Sequence, residues 1–329
     1  MRALWKRVKN PCLLFMAWRP DLQVLRPIYG GRREANALQG GEQSACKPKH
    51  VQICANPQAG SFRFSRLQAV TAHLVSQGHH VFITNGHPSR LSLDKVDELV
   101  VIGGDGTVRE AVAAICGQQK PIPLHIVPAG TINLLARELA EQVPGGAFAL
   151  CHVARANTHI MTTCLSVGPD AAIIATLSEA LKRKIGRFAY GVAAVRLLWF
   201  WRETRYRVKV DGKSFDCAAL YVAKGRYYAG PWSFAPQADI RGASLHAVAL
   251  LSGRRRNYLL FLAALVLGRV EKLKSVLRFH CDQLEIEGPQ ASAYQIDGDI
   301  GGVMPVRVTV DPGKIELRLL QVTGTGKPK

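Results

Sequence analysis

The chain of 329 residues is long enough for two domains of ordinary size with a sizeable buried core. Its 43 Lys+Arg against 24 Asp+Glu give a net charge of +19. With 48% hydrophobic residues and a mean hydropathy of +0.04, it reads as neither a disordered chain nor an integral membrane protein. A basic excess of this size favours phosphate-bearing partners (nucleotides, nucleic acid or an anionic lipid surface) without choosing among them.

Residues 1–48 hold nine Lys/Arg against three acids, several prolines and a glycine-rich stretch over 29–41. They read as a basic, poorly ordered extension with a short amphipathic helix near 4–18. The apolar run after Arg2, Lys6, Arg7 and Lys9 stops at Arg19-Pro20 without a small-residue cleavage site, so no secretory signal is expected. From His50 the pattern turns regular. Strands over 51–55, 80–84, 98–102 and 124–127 alternate with helices over 62–77, 108–116 and 132–141. That alternation implies βαβ units and a parallel sheet with helices on both faces. An α/β domain over 49–157 is expected.

From about residue 158 the segments 206–210, 218–223, 245–251, 283–287 and 306–310 alternate and are bounded by Gly, Asp and Pro, as antiparallel strands are. Helical stretches over 173–184, 188–201 and 256–267 interrupt them. The second domain is therefore β-rich, over 158–313, with a last strand near 314–321 returning to the first. The longest apolar run, 258–268, has eleven residues, short of the roughly 18–20 that span a bilayer. Eight cysteines show no C-x-x-C pair and no zinc spacing, which points to reduced thiols in a cytoplasmic setting and to no dedicated metal cluster.

The strongest chemical signal is the run Val100-Val101-Ile102-Gly103-Gly104-Asp105-Gly106-Thr107, continuing into Val108-Arg109-Glu110. In an open parallel sheet, ligands bind beyond the carboxyl ends of the strands. Here a strand ends in glycines that admit close backbone approach, and a helix begins whose free N–H groups favour an anion. Asp105 at that junction suits Mg²⁺ or a hydroxyl proton. Thr107-x-x-Glu110 also satisfies the capping-box pattern, which gives Glu110 a purely structural reading. Two further loops fit the same edge, Asn56-Pro57-Gln58-Ala59-Gly60 and Pro128-Ala129-Gly130-Thr131-Ile132-Asn133. Each alone is a common turn; with the glycine-rich loop they outline a nucleotide cleft.

The order Asn-Pro-x-x-Gly, Gly-Gly-Asp-Gly-Thr, Pro-x-Gly-Thr-x-Asn-x-x-Ala-Arg resembles the diacylglycerol kinase/sphingosine kinase superfamily, in its bacterial lipid kinase branch. Ser166-Val167-Gly168-Pro169-Asp170-Ala171 is similar to the family's Gly-Phe-Asp-Ala segment, and Gly186-Arg187-Phe188-Ala189-Tyr190 to its Gly-Lys-x-x-Tyr helix. Tyr227-Tyr228-Ala229-Gly230 and Ala235-Pro236-x-Ala238 follow in order, and Gln295-Ile296-Asp297-Gly298-Asp299 resembles its late Asp-Gly-Glu motif. The resemblance spans roughly residues 49–320. It implies a Rossmann-like, three-layer nucleotide-binding domain, a β-sandwich-like second domain and a cleft between them.

The activity implied is transfer of the γ-phosphoryl group of ATP, with its Mg²⁺, to a lipid hydroxyl. Carried over by motif, Asn56, Pro57, Gly60, Thr84, Gly103, Gly104, Asp105, Gly106, Thr107, Arg109, Glu110, Gly130, Thr131 and Asn133 would bind the nucleotide. Asp105, Asp297 and Asp299 would be the catalytic acids, with Asp299 where the family's proposed general base lies, and Asp170 would serve the substrate. Asp297-Gly298 has a second reading as a tight hairpin turn. Four departures stand out: Asp299 where the family has Glu, Arg109 where Asn is common, Pro169 in place of Phe, and Arg241-Gly242 where an Asp-Gly is usual. The last argues against the structural Mg²⁺ of some bacterial members.

Residues 182–209 carry nine Lys/Arg and one acid among six aromatics, and Arg254-Arg255-Arg256 precede the 258–267 apolar run. Basic and aromatic residues together suit an anionic bilayer surface. They equally suit a solvated basic face over a packed helix. Peripheral attachment to the inner face of the membrane is expected, nucleic acid is not, and a homodimer is compatible with the sequence. Two other classes compete. One is a soluble kinase of the NAD kinase or phosphofructokinase kind, which shares Gly-Gly-Asp-Gly; the other is a catalytically weak relative that binds nucleotide or membrane.

Overall fold

The computed structural model describes residues 23–24, 47–88, 91–176 and 203–320. The first unit is a parallel sheet built from β2 (His50–Ala55), β3 (His80–Asn85), β4 (Glu98–Gly103) and β5 (Leu124–Pro128), in the order β3-β2-β4-β5. Every residue of β4 is buried, as the continuous apolar run of a strand covered on both faces requires. Helix α1 (Phe64–Ser76) turns Leu67, Val70 and Leu74 onto one face. Helices α2 (Asp105–Cys116) and α3 (Leu134–Gln142) cover the other face, where Val108, Val112 and Leu139 meet Leu99, Val101 and Ile126. The expected α/β class holds. From the basic extension, the short strand β1 (Gln23–Val24) pairs antiparallel with β3.

Two helix starts differ from expectation for identifiable reasons. Helix α2 begins at Asp105, three residues before the apolar periodicity starts, because its N-cap is Gly104. Helix α3 begins only at Leu134, because Asn133 adopts the left-handed region at φ 55°.

The second unit packs two antiparallel layers face to face. One layer holds six strands in the order β13-β12-β11-β8-β15-β16. These are β8 (Cys164–Val167), β11 (Ala219–Ala223), β12 (Leu245–Leu250), β13 (Val276–Cys281), β15 (Ala293–Ile296) and β16 (Asp299–Val303). The opposing layer contains β6 (Ala149–Ala156), β7 (His159–Met161), β9 (Tyr206–Val210), β10 (Lys213–Cys217), β14 (Gln283–Glu287) and the first half of β17 (Val306–Leu319). Leu165, Val167, Leu220 and Val222 from one layer pack on Val208, Ile286, Val306 and Val308 from the other. The outer face of the six-stranded layer is covered by helix α5 (Arg255–Val266), through Tyr258, Phe261 and Leu265.

Strand β17 joins the two units. Its early residues pair antiparallel with β14, and Leu317–Leu319 then run parallel to β5, so one continuous sheet crosses the domain boundary. Helix α4 (Pro169–Thr176) carries the start of the helix expected over 173–184. The rest of that helix, the one expected over 188–201 and most of the basic stretch 182–209 lie outside the described residues.

Candidate active site

Three loops leave the carboxyl ends of β2, β4 and β5 side by side and are stitched together by main-chain bonds. The N–H of Asn56 donates to the carbonyl of Ile102 (2.9 Å), that of Ala129 to Gly103 (2.8 Å), and that of Ser61 to Ala129 (2.8 Å). Asn56 Nδ2 donates to Thr107 Oγ1 at 2.9 Å. A Cβ on Gly130 would stand 2.5 Å from the Cα of Gly104, so these two loops touch backbone to backbone and admit no side chain. Gly60 faces the Thr131 side chain, its Cβ position lying 3.1 Å from Oγ1.

The amides of the first turn of α2, residues 105–107, have no intrahelical acceptor, and the positive end of the helix dipole faces the loops. Backbone donors framed by close-packed glycines fit a polyphosphate. The capping box of Thr107 and Glu110 does not form. The helix has already begun at Asp105, Asn56 takes the Thr107 hydroxyl, and Glu110 turns to His87 Nδ1 at 3.0 Å.

Asp105 accepts the N–H of Asn133 at 2.9 Å and of Leu134 at 2.6 Å, one on each carboxylate oxygen. It therefore caps α3 from across the cleft and fixes the second loop against the first. Burial, and then the Asp297 carboxylate, push its pKa up; the amide bonds offset part of this and leave it at about 6.

From the second domain, the β15–β16 hairpin reaches this edge. Asp297 and Gly298 form its turn with φ 51° and 90°, the backbone an Asp-Gly turn favours. Asp297 is buried and accepts five bonds, from the N–H and hydroxyl groups of Thr162 and Thr163 and from the N–H of Cys164, at 2.7–2.9 Å. Asp299 stands at the mouth, with its side chain 45% exposed. Its Oδ2 accepts Arg109 Nη2 at 3.0 Å and lies 3.3 Å from where a Cβ on Gly106 would be. Arg109 Nη1 also donates to the carbonyl of Ile296 at 2.7 Å, so this side chain ties α2 to the hairpin.

Both halves of this cleft match known families. Residues 50–164 match the diacylglycerol kinase catalytic domain, and residues 163–319 match the YegS C-terminal NAD kinase beta sandwich-like domain. The chain belongs to the diacylglycerol kinase superfamily. It is 20% identical over 278 residues to a diacylglycerol kinase of Bacillus subtilis, covering 78% of this chain and 92% of that protein. A diacylglycerol kinase of Mycobacterium tuberculosis is 25% identical over 239 residues, 67% of this chain and 76% of the other. The crystal structure of a diacylglycerol kinase from Bacillus anthracis shares the fold, with a TM-score of 0.64 and 20% identity. It covers 84% of this chain and 98% of that one.

The remaining candidate positions divide between the domains, Asp170 in the second and Thr84 and Asn133 in the first. Asp170 is half-buried, with Ser166 and Tyr228 hydroxyls donating to its Oδ2, while its Oδ1 has no hydrogen-bond partner among the described residues. Burial pushes its pKa up. A polar relay runs from it to the hairpin: Gln295 Nε2 donates to Ser166 Oγ at 2.9 Å, and Gln295 Oε1 accepts the N–H of Gly298 at 2.8 Å. Thr84 accepts Gln52 Nε2 at 2.7 Å on β3. Asn133 clasps Gly130 in both directions at 2.8 Å.

Two buried charges at the domain boundary were not anticipated. Glu138 accepts the N–H of Tyr227 at 2.6 Å, and burial pushes its pKa up to about 7. Lys224 donates to the carbonyls of Asp239 and Ile240, both at 2.9 Å, and burial lowers its pKa to about 8. In a single sequence each looks like an ordinary solvated charge. Arg241 pairs with Asp239 at 2.8 Å, so the 239–241 loop is already served by two cations of the chain itself and does not fit a structural Mg²⁺. Among the described residues no group of three or more His, Cys, Asp or Glu could hold a metal ion.

Proposed function

We propose that the protein is an ATP-dependent kinase that transfers the γ-phosphoryl group to a lipid hydroxyl at a membrane surface. The observation that carries this reading is the meeting of Gly106 and Arg109 with Asp299 across the domain boundary, directly above the two touching glycine loops. Phosphoryl transfer asks chiefly for positioning and charge neutralisation, with a base near the attacking hydroxyl. ATP with Mg²⁺ would supply the transferred group.

On this reading Asn56, Pro57, Gly60, Gly103, Gly104, Gly130 and Thr131 shape a phosphate cradle of backbone donors, and Asn133 keeps its second loop closed. Thr84 borders it, and Glu110 and His87 brace its rim. Asp105 holds the loops in register, and its remaining lone pairs face the cation that accompanies the nucleotide. Asp297, with five donors on its carboxylate, positions the hairpin rather than moving a proton. Asp299 is the one acid of the three with open access, and it accepts the hydroxyl proton. Arg109 aims it. Asp170, through Ser166 and Gln295, sets the turn from the substrate side. No described helix is long and apolar enough to cross a membrane. The attachment proposed is peripheral, on the cytoplasmic face.

The test is transfer of label from ATP by the purified chain to a panel of acceptors. Diacylglycerol, a sphingoid base and phosphatidylglycerol stand on one side, NAD and a sugar phosphate on the other. Label in the lipid fraction is expected. Label only in a soluble acceptor would install the NAD kinase-like reading suggested by the second domain's matched family. Nucleotide binding without transfer would install the weak relative, whose motivation is the Arg109–Asp299 ion pair.

A further inference from the structure

We propose that the outward face of α5, together with Trp232, is the surface by which the protein docks on an anionic lipid bilayer. This rests on the lipid kinase reading and names the partner surface that reading needs.

Helix α5 buries Tyr258, Phe261, Ala264 and Leu265 against the six-stranded layer. Its opposite side should then be polar. Instead Leu259, Leu260, Val266 and Leu267 are 47%, 55%, 55% and 65% exposed, with exposed Ala263 between them. Trp232, 40% exposed, extends this strip across a groove of about 330 Å³ that Pro231, Pro236, Val266 and Leu267 help to line. With 12 residues α5 is roughly 18 Å long. That is too short to span a bilayer, and suits a helix lying in its interface with Trp at headgroup level.

The charges around the strip select the sign of the surface. Arg254, Arg255 and Arg256 stand exposed at the amino end of the helix, and Arg269, Lys272 and Lys274 beyond its carboxyl end. None of the six forms an ion pair among the described residues. Three cations at a helix amino terminus, with no acid in the first turn, oppose the helix dipole, so helix stability does not account for them. Two acids lie close among the described residues: Glu271 accepts Gln237 Nε2 at 2.5 Å, and Glu203, packed beside Gly253, pairs with Arg205 at 3.5 Å. An apolar strip ended by unpaired cations is complementary to anionic headgroups over acyl chains.

The strip is also joined to the site. Phe261 stacks on Tyr221 at 4.6 Å between centroids, Tyr221 meets Tyr228 edge-on at 5.7 Å, and the Tyr228 hydroxyl donates to Asp170. The Tyr228 N–H closes the loop onto the carbonyl of Trp232 at 3.0 Å. One loop thus carries both the partner of Asp170 and the surface Trp, as a lipid that keeps its chains in the bilayer while its hydroxyl enters the cleft would require.

The experiment is flotation of the full chain with phosphatidylglycerol vesicles and with phosphatidylcholine vesicles, beside transfer of label from ATP to detergent-dispersed diacylglycerol. Wild type should float with the anionic vesicles and not the neutral ones. L260E with L267E, and separately R254Q with R255Q and R256Q, should each weaken flotation at least tenfold while transfer to dispersed diacylglycerol stays unchanged. Both sets are exposed, and L260S with L267S serves if the glutamates disturb folding. Variants that float like wild type, or a wild type that does not float, would overturn the docking surface whatever the transfer result. Loss of flotation accompanied by conversion of a dimer to a monomer in light scattering would assign the face to a second copy instead. Absence of transfer to any lipid, with flotation as described, would sink the kinase reading and leave the docking surface standing.

Discussion

At the amino end of β4, Glu98 is nearly buried and fully paired: Lys49 donates to one carboxylate oxygen at 2.5 Å and His125 Nε2 lies 2.9 Å from the other. Burial alone would raise its pKa, but the bonds from His125 and Lys49 outweigh it and hold the group down at about 2. Seven residues on, just past the carboxyl end of the same strand, Asp105 faces the opposite balance. Among the described residues no cation pairs with it, a second carboxylate stands near, and its pKa is pushed up to about 6. The sheet therefore neutralises charge at the end that only has to hold together. It leaves an uncompensated acid at the end where glycine loops, a helix terminus and a second domain converge, and perturbed groups of that kind mark functional sites.

The sharpest way to break this contrast is substitution at the two ends. Asp105→Asn should lower turnover by roughly 10²–10³-fold. Stability should change by no more than about 1 kcal/mol, since a lost bond to an amide is offset by relief of a buried charge. Steady-state kinetics and urea unfolding read the two effects. Glu98→Gln should do the reverse, costing about 3 kcal/mol by leaving buried partners unmatched while turnover is unchanged. A fall in turnover without a fall in stability there would erase the distinction.

The pH dependence should separate the ends as well. A depressed acid contributes stability that is present above its unfolded pKa of about 4.5 and lost as pH falls toward 2, so Glu98 supports the acid limb of the stability curve. A raised acid has the opposite sign. The contribution of Asp105 is present below about pH 4 and lost as pH rises through about 6, and that of Glu138 is lost through about 7. If the ionised form of Asp105 is the working one, kcat/KM should climb through about pH 6, and Asp105→Asn should flatten that limb. The smallest expected effect is at the interdomain tie. Arg109→Ala should cost about 1 kcal/mol, discounted for the exposure of its partner Asp299, and lower kcat several-fold by loosening the hairpin.

Much of this contrast was legible before the fold was known, where the information is local. The apolar run of β4, the glycines after it and the Asp297-Gly298 turn each state their own conformation within a few residues. What stayed hidden depends on chain crossing long distances. The five donors on Asp297 come from Thr162, Thr163 and Cys164, more than 130 residues earlier. Strand β17 serves both domains because one half pairs with β14 and the other with β5, a division that periodicity cannot express. Thr107 and Glu110 fit a capping box locally, yet Asn56 and His87 claim them in space. Glu138 and Lys224 look like surface charges until the two domains pack together around them.

On the proposed function, the acid at the carboxyl end of β4 serves phosphoryl transfer to a lipid and the one at the amino end does not. The direct measurement is transfer of label from ATP into vesicle lipid by wild type, Glu98→Gln and Asp105→Asn, each at a temperature where the variant is folded. Labelled lipid is expected from wild type and Glu98→Gln at equal rates, and almost none from Asp105→Asn. Labelled lipid from Asp105→Asn at the wild-type rate, or none from wild type, would contradict that expectation.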